Sequence, residues 1–121
     1  MAQDITVVVT GAGGRIAYSL IPLLLTSNIF GSNTIHLKLM DVEAALQKLQ
    51  GIKMEIEDCN YSTLSKLDIT SSVQEAFTDA DVVILLGGFP RLPGMERKDL
   101  ISKNVDIIKE HAIGIDMFSK K

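Results

Sequence analysis

β-branched and other apolar residues gather in four short runs along the chain: "ITVVVT" at 5–10, "TIHLKLMD" at 34–41, "KLDIT" at 66–70 and "DVVILLGG" at 81–88. Runs of this length and composition read as strands. Between them the apolar positions change period. Residues 14–28 are predominantly apolar, and residues 43–59 carry Ala45, Leu46, Leu49, Ile52 and Ile56 at three- and four-residue steps. Residues 98–112 repeat that pattern with Leu100, Ile101, Val105, Ile108 and His111 or Ala112. Spacing of this kind puts one apolar stripe on each of three helices.

Strand therefore alternates with helix, the signature of a parallel sheet with helices over its faces. The unbroken run from Val82 to Leu86 agrees, because parallel strands are usually buried on both sides. The fold class is α/β, a doubly wound parallel sheet of which four strands are present. Two residues disturb the helical pattern. Pro22 predicts a kink in the first helix, and Gly51 predicts a close approach by a neighbouring element in the second. No internal repeat and no Ser/Gly/Pro-rich linker divides the chain, so residues 1–121 read as one domain.

The segment "TGAGGRIA", residues 10–17, joins the first strand to the first helix. A glycine-rich turn at that junction suits a diphosphate: Gly11 permits the tight turn, Gly14 lets the backbone approach the anion, and small Ala17 lets the helix pack closely on the sheet. The unpaired N–H groups of the helix N-terminus stabilise a phosphate without any lysine. The alternative is a turn that merely connects strand to helix. Asp41, at the end of the second strand, supplies the acid that accepts hydrogen bonds from the ribose hydroxyls of an adenosine. Its distance from Gly14 exceeds the usual interval of about 20 residues, an excess that falls in the loop "SNIFGSN". Asp41 also reads as an N-cap for the helix beginning near Glu43, and both roles are compatible. A carboxylate here repels a ribose 2′-phosphate and so favours NAD over NADP.

Charge and composition narrow the partners. The formal net charge of −3, with 15 acids against 12 bases, offers no broad attraction for nucleic acid. Cys59 is the single cysteine, so no intrachain disulfide forms, and two isolated histidines lack zinc-ligand spacing. The opening "MAQD" has an acid where a signal or transit peptide needs bases, and "IAYSLIPLLL" falls short of the roughly 20 residues that span a bilayer. The expectation is a cytoplasmic protein with neither a nucleic-acid nor a membrane partner.

"GGFPRLPGMERKDLISKN", residues 87–104, carries the most specific signal. With "TGAGGRIAYSL", "LMD" and "MEIEDC" it resembles the N-terminal, NAD-binding half of cytoplasmic-type malate dehydrogenases, over essentially the whole chain. The resemblance implies a Rossmann-type fold, NAD as cofactor and cofactor contacts at Gly11, Gly14, Arg15, Ile16, Asp41, Gly87, Gly88 and Asn104. It implies that Arg91 and Arg97 grip the carboxylates of malate or oxaloacetate from a mobile loop. Arg91 would sense the carboxylate that distinguishes these substrates from lactate, and Arg97 would polarise the reacting carbonyl. It also implies a homodimer for the full-length protein. Guanidinium groups suit the task, since they offer bidentate, charge-assisted bonds to carboxylates. Leu92 departs from the family, whose cytoplasmic members commonly have a basic residue there.

A second departure is an absence. In this family a histidine, oriented by an aspartate, serves as acid or base alongside a third arginine, and all three belong to the second half of the enzyme. His36, in a strand, and His111, near the end of the last helix, match neither position. The expectation is a fragment without catalytic residues and without turnover of its own. Two alternatives remain, and the arginine loop decides against the first. "TGAGGRIA" is close to the phosphate loop of extended short-chain dehydrogenases and epimerases, although Tyr18 and Tyr61 are followed four residues on by Pro22 and Ser65 rather than lysine. A non-catalytic nucleotide-binding or dimerisation module is the other.

Overall fold

The computed structural model describes residues 2–121, so Met1 of the opening "MAQD" lies outside the described residues. Four strands, β1 (Asp4–Thr10), β2 (Thr34–Met40), β3 (Leu64–Thr70) and β4 (Val82–Leu85), alternate with helices α1 (Arg15–Thr26), α2 (Leu46–Cys59), α3 (Val73–Phe77) and α4 (Arg97–Phe118). All pairings are parallel and the strand order is β3-β2-β1-β4. The chain thus winds outward from β1 through β2 to β3, then returns to place β4 on the other side of β1.

The two faces of β1 explain the two helical layers. Val7 and Val9 point into a core shared with Ala17, Ile21, Leu24 and Leu25 of α1 and Leu49, Ile52 and Ile56 of α2. Val8 points the other way, into a smaller core with Ala76 and Phe77 of α3 and the flanking Ile115 and Phe118 of α4. A strand that supplies both cores reads as a continuous apolar run, as parallel strands do. On β2 the second face carries Thr34, His36 and Lys38 before Met40 joins the smaller core. Lys38 reaches from it to donate hydrogen bonds to the carbonyls of Glu75 and Thr78, at 2.9 and 2.8 Å, which satisfies the C-terminal end of α3.

Several sequence expectations change. Gly51 sits on the exposed side of α2 with nothing within 4 Å of where a Cβ would stand, so no element approaches it. The close approach is at Gly114 in α4, where a Cβ would lie 2.3 Å from Val73 Cγ1 and 2.9 Å from Phe77 Cδ2. Helix α1 continues through Pro22 as a single helix. β4 is not buried on both faces: Val82, Val83 and Ile84 are half-buried and Leu85 is exposed, because among the described residues β4 pairs with β1 alone. Helix α4 extends beyond the expected 98–112, and α3 was not foreseen at all.

Candidate functional site

The ends of β1 and β4 lie side by side, and the chain turns away from the sheet at both. Gly11 follows β1 with φ of +62°, and a Cβ there would stand 2.6 Å from Gly87 Cα. Only glycine fits, on conformational and on steric grounds. Thr10, one residue earlier, fastens the same junction: its hydroxyl oxygen accepts from the N–H groups of Leu86 and Gly87, both at 3.1 Å. Gly14 then caps α1 with an extended backbone and no side-chain bond. The first N–H groups of the helix accordingly face outward without partners from the helix itself.

Asp41 closes the third side. One carboxylate oxygen accepts from Gly13 N–H at 2.8 Å and the other from Val42 N–H at 2.7 Å. It ties the end of β2 to the glycine loop. It is not a helix cap: the 3-10 turn Glu43–Ala45 that precedes α2 has Val42 at its cap position and no side-chain cap bond. Gly13, which the sequence reading passed over, is the glycine that touches Asp41; a Cβ there would meet the carboxylate at 2.9 Å.

These pieces enclose a cavity of about 410 Å³ beyond the C-terminal ends of β1, β2 and β4, lined by Gly11, Gly14, Asp41, Gly87 and Gly88 among others. Ligands in open α/β sheets bind at such a place, where the strand order reverses. Two glycine backbones and an uncapped helix end can hold a diphosphate, and the Asp41 carboxylate beside them can accept from ribose hydroxyls. Thr10, Met40, Ile107, Glu110 and His111 also line it. Thr10 was legible as the residue before the glycine loop. His111 was hidden by its place in the apolar stripe of α4.

Other expected residues are not among those that line this cavity. Arg15 lines a separate groove between α1 and α2 together with Lys48 and Gly51, and Ile16 is 70% exposed. Asn104 accepts a hydrogen bond from Phe89 N–H at 2.7 Å, which pins the start of the loop carrying the arginines to α4. Arg91 stands exposed in that loop and Arg97 begins α4, whose N-terminus is closed by a capping box between Glu96 and Asp99. Leu92 is exposed beside Arg91.

Neither histidine is placed as an acid or base against the arginines. His36 Nε2 lies 2.7 Å from Asp68 Oδ2 in a different depression. The His36 bond and Lys66 hold Asp68 below the ordinary carboxylate value despite the opposing effect of burial, the largest single influence. His111 is buried, with its ring set edge-to-face against Phe77 at 5.7 Å. Burial pulls its imidazole below the ordinary value, against a smaller opposing effect of Glu110.

Comparison with known proteins places this geometry. A family model described as lactate/malate dehydrogenase, NAD binding domain, matches residues 5–121. Cytoplasmic malate dehydrogenase of Echinococcus granulosus is 42% identical over 122 residues, a match spanning 100% of this chain and 37% of that protein. Among solved structures, malate dehydrogenase from Naegleria fowleri superposes with a TM-score of 0.94 at 36% identity, covering 99% of this chain and 37% of that one. Trichomonas vaginalis lactate dehydrogenase, in complex with NADH and oxamate, superposes with a TM-score of 0.87 at 33% identity, covering 96% of this chain and 35% of that one. The chain thus spans little more than a third of the length of the relatives it matches.

Proposed function

This chain belongs to the lactate/malate dehydrogenase family, as its NAD-binding domain, and we propose that it forms the cofactor site and the substrate-gripping loop of an NAD-dependent malate dehydrogenase. The observation that carries the reading is the cavity in which Gly11, Gly14, Asp41, Gly87 and Gly88 meet at the reversal of strand order. When bound there, NAD(H) supplies the hydride exchanged between malate and oxaloacetate.

The chain's own residues provide binding and orientation. The backbone of Gly11 and Gly14 and the backbone N–H groups of Arg15 and Ile16 at the start of α1 hold the diphosphate; Asp41 takes the ribose; Gly87, Gly88 and Asn104 set the path toward the nicotinamide. Arg91 from the loop and Arg97 from the start of α4 pair with the two carboxylates of a small dicarboxylate, and the loop excludes water as it closes. His36 is engaged by Asp68 away from the cavity and His111 is buried against Phe77, and the chain alone is expected to turn over no oxaloacetate.

The relatives' names support a cytoplasmic setting, and no helix among the described residues is long and apolar enough to cross a membrane. A homodimer is the proposed assembly of the longer protein, supported by exposed Ile16, Leu23 and Met54 on the outer helices. The test of the cofactor reading is selectivity: calorimetric titration should show NADH binding preferred over NADPH, and Asp41→Ser should narrow the preference. Equal affinity of the unaltered chain for both would remove Asp41 from the ribose site.

A further inference from the structure

The N-terminus of α1 offers its N–H groups to a diphosphate, and no lysine or arginine is among the described residues that line this cavity. Its charged walls are instead three carboxylates: Asp41 from the end of β2, Glu43 from the 3-10 turn and Glu110 from α4. The one lining side chain able to become positive is His111. The other elements around that ring contribute no charge: α3 presents Phe77, the end of β1 presents Thr10, and the strand-end loop presents Gly87, where a Cβ would lie 3.7 Å from the imidazole Cε1.

We propose that His111 takes up a proton as an anionic dinucleotide enters the cavity, so that the chain's affinity for the cofactor rises as the pH falls from about 8 to about 6. The inference rests on the cofactor reading above. In the free chain, burial disfavours the charged imidazole and lowers its pKa from the ordinary 6.5, against a smaller opposing effect of Glu110. A bound diphosphate adds negative charge to a cavity whose charged side chains are carboxylates. A proton on His111 is the one positive charge that the described lining side chains can add to the N–H groups of that helix end. The sign follows from linkage: a ligand that raises the pKa of a group binds more tightly below that pKa than above it, and one coupled proton changes affinity by at most about tenfold per pH unit.

The test is calorimetric titration of the 121-residue chain with NADH near pH 6, in two buffers of different ionisation enthalpy, for the unaltered chain and for His111→Gln. The variant keeps all three carboxylates, so any proton linkage of theirs persists in it. Net proton uptake is expected for the unaltered chain and nearly none for the variant, which also loses the several-fold gain in affinity between about pH 8 and pH 6. Because the variant could fail to fold, the ring titration of His111 is also followed by NMR in the unaltered chain, where NADH should move its midpoint upward. Equal proton uptake in both proteins, or an unmoved midpoint, overturns the proposal while leaving the cofactor site intact. Failure of NADH to bind at any pH overturns the cofactor reading, and this proposal with it.

Discussion

Replacing Gly114 by alanine should loosen α4 from α3. The added Cβ would stand 2.3 Å from Val73 Cγ1 and 2.9 Å from Phe77 Cδ2, where carbon atoms in contact lie about 3.5–4.0 Å apart. Neither neighbour can turn away cheaply. Phe77 is fully buried, and Val73 is β-branched within a helix, where one rotamer dominates. The helix itself must withdraw by about an ångström, the difference between the two distances. Overpacking costs about 1–3 kcal/mol, and an overlap this deep belongs near the upper end. Alanine in place of glycine returns up to about 1 kcal/mol of helix propensity. The net loss is therefore roughly 2 kcal/mol, or about 6–10 °C in Tm for a domain of this size. Gly51→Ala is the control, because nothing lies within 4 Å of its Cβ position; it should gain up to about 1 kcal/mol. Urea unfolding of the three proteins measures both effects. The Gly114 variant should also bind NADH more weakly, since His111 lies one turn away on the same helix. A Gly114→Ala chain as stable as Gly51→Ala would refute the packing argument.

Three further outcomes are expected. With the longer protein of the relatives' length, Arg91→Gln should cost on the order of 2–4 kcal/mol of transition-state binding for oxaloacetate and little for pyruvate, and an unchanged ratio of kcat/KM for the two would show that Arg91 does not read the substrate. Asp81 accepts from Thr6 N–H at 2.8 Å and from Lys120 Nζ at 3.0 Å, and these bonds, Thr6 first, hold its pKa below the ordinary 3.8; its contribution to stability is present above that value and lost as the pH falls through the lower folded one, so Asp81→Asn should flatten the acid limb of the stability curve. The outer edge of β4 pairs with no strand among the described residues, so the chain should self-associate through Val82–Leu85, and a single monomer in sedimentation at tens of micromolar, with β4 amides protected from exchange, would contradict this.

Long periodic segments and strand-end motifs were legible in the sequence because local chemistry decides them. "ITVVVT" and the glycine loop needed no partner to be read, and Asp41 stands where the second strand ends. What was missed depends on contacts distant in sequence. Helix α3 spans five residues, Val73–Phe77, too few for a helical period to show; Lys38 from β2 and the Ser72 cap define its ends. Glycine identity says that space is wanted but not where the neighbour is, so Gly51 was given the approach that belongs to Gly114. The burial of β4 was overread for a related reason: its apolar composition suits a strand flanked on both sides, and only β1 flanks it here. His111 occupies an apolar period of α4, which concealed that its ring reaches the cavity.

The central claim is that the glycine loop, Asp41 and the end of β4 form one dinucleotide site, and amide chemical-shift mapping during an NADH titration tests it most directly. The account predicts saturable shifts concentrated at Gly11–Ile16, Asp41, Gly87, Gly88 and Asn104. Absence of saturable shifts, or shifts centred instead on the apolar cavity of about 130 Å³ between α1 and α2 lined by Tyr18, Ile52 and Cys59, would contradict it.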